Sequence, residues 1–372
     1  MMTKGYVKKG KKTKQLVKRL MPYDIAVIDH QDLDEVAACS LIETRVRVVI
    51  NCAKNISGRY PTKGAQLLVE NGIVLVDNIG EHFYDNIQEK DIIEIKNDTL
   101  FINMKPYSKK VALLDKKKVE EILTLSQKNV ERELDKFVEN TLDYAAREKE
   151  IVLSSKNMPA VLTVIKGRHV LIVVRGCNYK EDLKTIRGYI KDFRPVLIGV
   201  DGGGDALLEF GLLPDIIIGD MDSVSDTCLK RCKEIIVHAY TDGQAPGLER
   251  IKKLGLVHKA FPFPGTSEDI AMLLAYEKGA DLIIAVGTHS NMIDFLEKGR
   301  RGMASTMLVR LKVGAKLVDA RGVSKLYANK LKLAYCIPIL ISVLIPIFAV
   351  IQIYIPLRAI IHLFQIRFGL SG

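Results

Sequence analysis

The chain has no Cys-x-x-Cys pair, no acid among residues 1–20, and no charge between Leu333 and Leu357. The first absence argues against a zinc or dithiol site. Cys39, Cys52, Cys177, Cys228, Cys232 and Cys336 are scattered without His/Cys ligand spacing and read as reduced thiols. Cys228 and Cys232 stand four apart and could share a helix face, but a metal role is not expected there. The second absence leaves Lys4, Lys8, Lys9, Lys11, Lys12, Lys14, Lys18 and Arg19 unbalanced, so the net charge of +11 is unevenly placed. Residues 1–20 therefore read as a basic arm, either solvated and disordered or touching acidic lipid or nucleic acid. No nucleic-acid motif accompanies the lysines, which disfavours that partner. No apolar run of signal-peptide dimensions follows, so export of the N-terminus is not expected.

The third absence points the other way. The 25 uncharged residues 333–357 exceed the ~20 apolar residues that a membrane-spanning helix needs. They are expected to form a transmembrane segment, kinked or made re-entrant by Pro338, Pro346 and Pro356. Arg310, Lys312, Lys316, Arg321, Lys325, Lys330 and Lys332 precede it, whereas only Arg358 and Arg367 follow. This bias places the large N-terminal part on the cytoplasmic side of a cell membrane that the chain crosses once, with the membrane as a partner.

What is present is enough sequence for two or three α/β domains: 372 residues, 48% of them hydrophobic. Short apolar runs between turn residues mark 21–115 as a small β-rich α/β domain. In 116–158, Val119, Ile122, Leu123, Val130, Leu134, Phe137, Val138 and Leu142 recur at helical spacing, which predicts an amphipathic linker helix packed on its own domain. Ser126 and Thr141 interrupt the seam a coiled-coil homodimer would use, although a homodimer stays open. Residues 159–325 alternate strand-like runs ("HVLIVVR", "VLIGVD", "DIIIGD", "EIIVHAY", "LIIAVGT") with helical segments. That pattern predicts a parallel sheet covered on both faces.

Ligands of such sheets bind beyond the carboxyl ends of the strands. Three stretches are expected there: "DGGGD" (201–205), "GDMDS" (219–223) and "TSEDIAMLLA" (266–275). Gly202, Gly203 and Gly204 would let backbone approach a phosphate, or form a plain tight turn. Asp220 and Asp222 share a side of an extended segment and suit Mg²⁺, which prefers a few carboxylates with phosphate oxygens and water. Asp269 supplies a third oxygen, or else stabilises the start of its helix. Arg300, Arg301 and His289 are candidates for phosphate contact. Alternatively, Arg300 and Arg301 pair with Glu297 or Asp294.

The order Asp201-Gly202-Gly203, Pro214-Asp215, Gly219-Asp220, Asp222-Ser223 and Asp269 resembles the catalytic domain of thiamine pyrophosphokinases. The resemblance implies Mg²⁺ held by Asp220, Asp222 and Asp269. It also implies ATP or a related nucleotide lined by Asp201, Gly202, Gly203, Gly204, Ser223, Thr266, Arg300 and Arg301. The chain departs from that family where "GTHSNMIDFLEKGRRGMAST" (287–306) replaces its Gly-Gly-Arg-x-Asp-His motif, and it has no room for the thiamine-binding β-sandwich. With "VIDHQDLDEVAA" and "SGRYPTKGA" added, nearly the whole chain resembles the bacterial SteA-like proteins, which implies a regulator or scaffold in cell division or envelope remodelling. An active Mg-ATP pyrophosphokinase is the alternative. The stretch "VIDHQDLDEVAACSLIETRVRVVIN", with the segments after it, also looks like the swivelling phosphohistidine-type domain of phosphoenolpyruvate-utilising enzymes, but without its catalytic histidine.

Overall fold

The computed structural model describes residues 2–326, save 97, 109, 155–157, 177, 290 and 298, and beyond them 333–354, 359–360, 363–364 and 367. Residues 1–323 form one compact unit and 324–372 another. The first unit contains two sheets.

The N-terminal sheet is built from β1 (Met2–Gly10), β2 (Ile25–Ile28), β3 (Val48–Asn51), β4 (Val74–Asp77), β5 (Ile92–Lys96), β6 (Thr99–Ile102), β7 (Lys105–Ser108) and β8 (Ala112–Leu114). Their order is β7-β6-β5-β1-β2-β3-β4-β8. The run β1 to β4 is parallel and the flanking pairs are antiparallel. β2 and β3 are buried along their whole length. Period-two alternation explains this: Ala26, Ile28 and Val49 face one apolar cluster, while Ile25, Val27, Val48 and Ile50 face another.

Residues 1–20 differ from the expected free arm. β1 lies inside the sheet between β2 and β5, with Val7 fully buried. Its lysines hide the strand from a hydrophobicity reading, and their partners are far away in sequence. Lys9 Nζ donates to the carbonyls of Tyr84 and Ile87 at 3.0 and 2.7 Å. Lys11 pairs with Glu81 at 2.9 Å and Arg19 with Glu89 at 2.7 Å.

The linker is two helices, Lys116–Gln127 and Val130–Leu153. The second buries Glu133, Phe137, Thr141, Ala145 and Val152, spaced three to four apart or by their multiple, while Leu134, Val138 and Leu142 face outward. It packs on the helix Ala304–Val313, where Met303 N donates to Thr141 Oγ1 at 3.1 Å.

The second sheet comprises β9 (His169–Val173), β10 (Val196–Val200), β11 (Ile216–Gly219), β12 (Glu234–Ala239), β13 (Lys259–Pro262), β14 (Leu282–Val286) and β15 (Leu317–Asp319). Their order is β13-β12-β11-β10-β9-β14-β15, and every pair is parallel. Apolar clusters cover both faces, one centred on the helix Ser267–Glu277 and its Ile270, Leu273 and Leu274. Strand order reverses between β9 and β14. There the loops close on each other, since a Cβ on Gly176 would lie 2.0 Å from the Gly287 carbonyl oxygen.

The membrane expectation is corrected. The C-terminal stretch forms a helix over Leu333–Ile353 with Pro338 and Pro346 inside it, and 355–357 lie outside the described residues. Among the described residues no helix is long and apolar enough to cross a membrane. The transmembrane segment over 333–357 and the single-pass localisation are therefore withdrawn.

Candidate active site at the strand tips

Two adjacent strands deliver the acids. Asp201 follows β10 in left-handed backbone (φ 46°), and Asp220 follows β11. Gly219 makes the approach possible, because a Cβ there would lie 1.8 Å from Asp201 Oδ1. That oxygen accepts from Met221 N at 3.0 Å. Burial, and then the neighbouring Asp220 charge, hold the Asp201 carboxyl well above the usual carboxylate range. Met221 turns its side chain fully into the core, so Asp220 and Asp222 on either side of it are exposed. Asp222 N donates to Asp220 Oδ1 at 3.0 Å. Ser223 follows, half-buried, in the same turn.

The structure separates these acids from Asp269. Asp269 is fully buried at the start of the helix Ser267–Glu277, in a capping box with Thr266. Its Oδ2 accepts from Thr266 N and Thr306 Oγ1, both at 2.8 Å, while Thr266 Oγ1 accepts from Asp269 N at 3.1 Å. Burial raises the Asp269 carboxyl. Both Thr266 and Asp269 are thus occupied in starting the helix. Among the described residues no group of three His, Cys, Asp or Glu side chains is arranged to hold a metal ion, so Asp220, Asp222 and Asp269 are not gathered into one.

Gly202, Gly203 and Gly204 are buried rather than open to a phosphate. A Cβ on Gly203 would meet the Val173 carbonyl oxygen at 1.9 Å, and one on Gly204 would meet Ile217 Cδ1 at 2.3 Å. They let the helix Gly203–Glu209 press onto the sheet, which brings Asp201 to the edge.

Arg300 and Arg301 line a cavity of about 320 Å³ together with Tyr144, Glu148, Pro264, Gly299, Gly302, Ala304 and Ser305. The alternative pairing with acids of their own helix is not what forms: Asp294 pairs with Arg321, and Glu297 is pushed up to about 8 by burial and by Asp34, Asp294 and Glu35. His289 Nδ1 donates to Glu268 Oε1 at 2.7 Å. His238 follows Val237, which pairs in register with Gly219, and bonds next to cavity-lining Pro264. Its Nε2 donates to the Phe263 carbonyl and its Nδ1 accepts from Ser267 Oγ, both at 3.0 Å. Burial lowers its basicity, and it also feels Arg300, Asp220 and Asp269.

Sequence reasoning missed two contributions. Lys12 Nζ stands 3.6 Å from Asp222 Oδ2, and the charge of Lys14 acts on Asp201. The signal was the basic run itself, which carries no mark of where it packs. Tyr144 and Glu148, on the second linker helix, wall the cavity, and nothing in their spacing marked them.

No family model matches the chain. It is similar to three archaeal proteins, each named 6-hydroxymethyl-7,8-dihydropterin pyrophosphokinase. The Pyrococcus furiosus protein is 28% identical over 171 residues, covering 42% of this chain and 71% of that protein. The Methanocaldococcus jannaschii protein is 31% identical over 94 residues, 24% of this chain and 37% of the relative. The Methanothermobacter thermautotrophicus protein is 30% identical over 124 residues, 28% and 52% respectively. The chain thus contains a pyrophosphokinase-like region and spans between 37% and 71% of the length of these relatives. Neither they nor the fold support the SteA-like resemblance, membrane anchoring or a division role.

Proposed function

We propose that the seven-stranded region is a Mg²⁺- and ATP-dependent pyrophosphokinase, acting on a small heterocyclic alcohol of the pterin type rather than on thiamine. The observation that carries this reading is the convergence of Asp201, Asp220 and Asp222 at the tips of β10 and β11, with Asp220 and Asp222 exposed beside each other.

Two exposed carboxylates without a third ligand fit an ion that arrives with phosphate oxygens and water. Asp220 and Asp222 would hold it, with Asp201 placed against Asp220 from behind. Bound Mg²⁺ would offset the negative charge that develops during diphosphoryl transfer. Lys12 and Lys14, in the turn and short helix that follow β1, add positive charge at the same edge. The reaction joins the acceptor oxygen to the β-phosphorus of ATP and breaks that phosphorus's bond to the bridging oxygen of the α-phosphate. AMP leaves with the electron pair, and the alcohol proton passes to water.

The test is ³¹P NMR of the full chain with Mg²⁺, ATP and 6-hydroxymethyl-7,8-dihydropterin. AMP and a diphosphate ester are expected, lost in Asp222→Asn, with no product when thiamine replaces the pterin. ATP left intact, or ADP in place of AMP, would contradict the reading.

A further inference from the structure

The structure has a cavity with one wall from the linker helix. Tyr144 and Glu148 come from Val130–Leu153, and Arg300, Arg301, Gly302, Ala304 and Ser305 from the loop and first turn opposite. The two walls are fixed to each other. Thr141 Oγ1 accepts from Met303 N, and a Cβ on Gly302 would crowd the Thr141 backbone at 3.1 Å.

The lining indicates what fits. Ligand pockets run from about 300 to 1,000 Å³, so about 320 Å³ suits one small ring system rather than a nucleoside triphosphate. Among the described residues the side chains of Arg300 and Arg301 form no ion pair or hydrogen bond, leaving two planar guanidinium groups for an acceptor-rich edge or a ring face. Glu148 is half-buried, and its carboxyl is raised by burial against the pull of Arg300. It can pair with ring N–H groups. Tyr144 offers an exposed aromatic face at the rim. Ser305 adds a hydroxyl, and behind it lies the fully buried Asp269, whose Oδ1 has no partner. His238 bonds to the carbonyl of Phe263, the neighbour of cavity-lining Pro264, and follows Val237, which pairs in register with Gly219, so this side of the pocket leads toward the strand tips.

We infer that this pocket is the acceptor site, in which a planar nitrogen heterocycle lies with its N–H edge at Glu148, its acceptor edge or face at Arg300 and Arg301, and its alcohol toward Asp220. The ring's role as acceptor rests on the pyrophosphokinase reading; the site itself does not.

Fluorescence titration of the full chain with 6-hydroxymethylpterin tests it, alongside calorimetry with Mg·ATP. Saturable binding is expected, weakened about tenfold or more in Glu148→Ala and in Arg300→Ala, as loss of hydrogen bonds to charged groups requires. Tyr144→Ala, an exposed change that spares folding, should weaken the pterin as well. Mg·ATP binding in Glu148→Ala should stay within about twofold, since any contact it makes there is peripheral. Unchanged pterin binding in all three variants would overturn the inference, as would absent binding or displacement by inorganic pyrophosphate alone. Mg·ATP binding without pterin binding would remove the pocket and leave the pyrophosphokinase reading standing. Pterin binding without Mg·ATP binding would do the reverse.

Discussion

The carboxylates at the strand tips and the carboxylate of Asp269 belong to one motif in the sequence and to two different environments in the molecule. Asp220 and Asp222 stand exposed on either side of a buried methionine, and few protein donors satisfy them. Asp269 has no exposure and accepts from the backbone of Thr266 and the hydroxyl of Thr306. A hydrated cation carrying phosphate oxygens can reach exposed carboxylates directly, whereas Asp269 is fully buried and caps its helix through Oδ2, so the proposed metal seat is the first pair. Residue type told the two apart poorly; exposure and the capping-box contacts tell them apart.

The largest effect that tests this contrast is on stability. Asp269→Ala removes a cap contribution of about 0.5–2 kcal/mol and leaves buried donors unpaired at a further ~1–3 kcal/mol. Denaturant unfolding should show a loss of ~2–4 kcal/mol, with Asp269→Asn milder because the amide oxygen still accepts. A wild-type unfolding midpoint for Asp269→Ala would break the distinction.

A third acid sharpens it. Glu297 is half-buried among like charges and pushed up to about 8, so the folded state keeps a proton that the unfolded chain releases near 4.5. Its contribution is present below about pH 4.5 and is lost as pH rises toward 8, because in that window the native state binds more protons than the unfolded one. Glu297→Gln should therefore be more stable than wild type at pH 8, by on the order of 1–2 kcal/mol after solvent screening, and the gain should vanish near pH 4. Parallel unfolding curves across that range would show that burial here costs nothing. The smallest effect belongs to the exposed pair: Asp222→Asn should move stability by no more than about 0.5 kcal/mol.

Much of this was legible in the chain. The strands β2, β3, β9, β10 and β11 sit where apolar runs such as "IAVI" and "IIIG" lie, because a strand buried on both faces must be apolar throughout. Alternation along an extended segment does not describe Asp220 and Asp222: Met221 between them is in left-handed backbone (φ 65°), so the two carboxylates stand on a turn after β11. The illegible parts depended on distant partners. β1 reads as a charged arm until Glu81, Glu89 and the carbonyls of Tyr84 and Ile87 come around it. The glycines after Asp201 looked like a phosphate cradle, but the contacts that need them are with Val173 and Ile217. Glu148 and Tyr144 gain meaning only when their helix docks on 304–313. The uncharged C-terminal run suggested a membrane span from composition alone, and the described helix does not provide one.

The central claim, that the strand-tip acids rather than Asp269 seat the metal and nucleotide, is tested most directly by calorimetric titration of Mg·ATP into wild type, the Asp220→Asn/Asp222→Asn double variant and Thr306→Val. The account predicts Mg²⁺-dependent binding that the double variant loses by on the order of a hundredfold, about 2.7 kcal/mol. Thr306→Val, which removes a hydrogen bond to Asp269 and touches neither strand-tip acid, should retain it. Equal binding in wild type and the double variant, or loss of binding in Thr306→Val while its fold persists, would contradict the account.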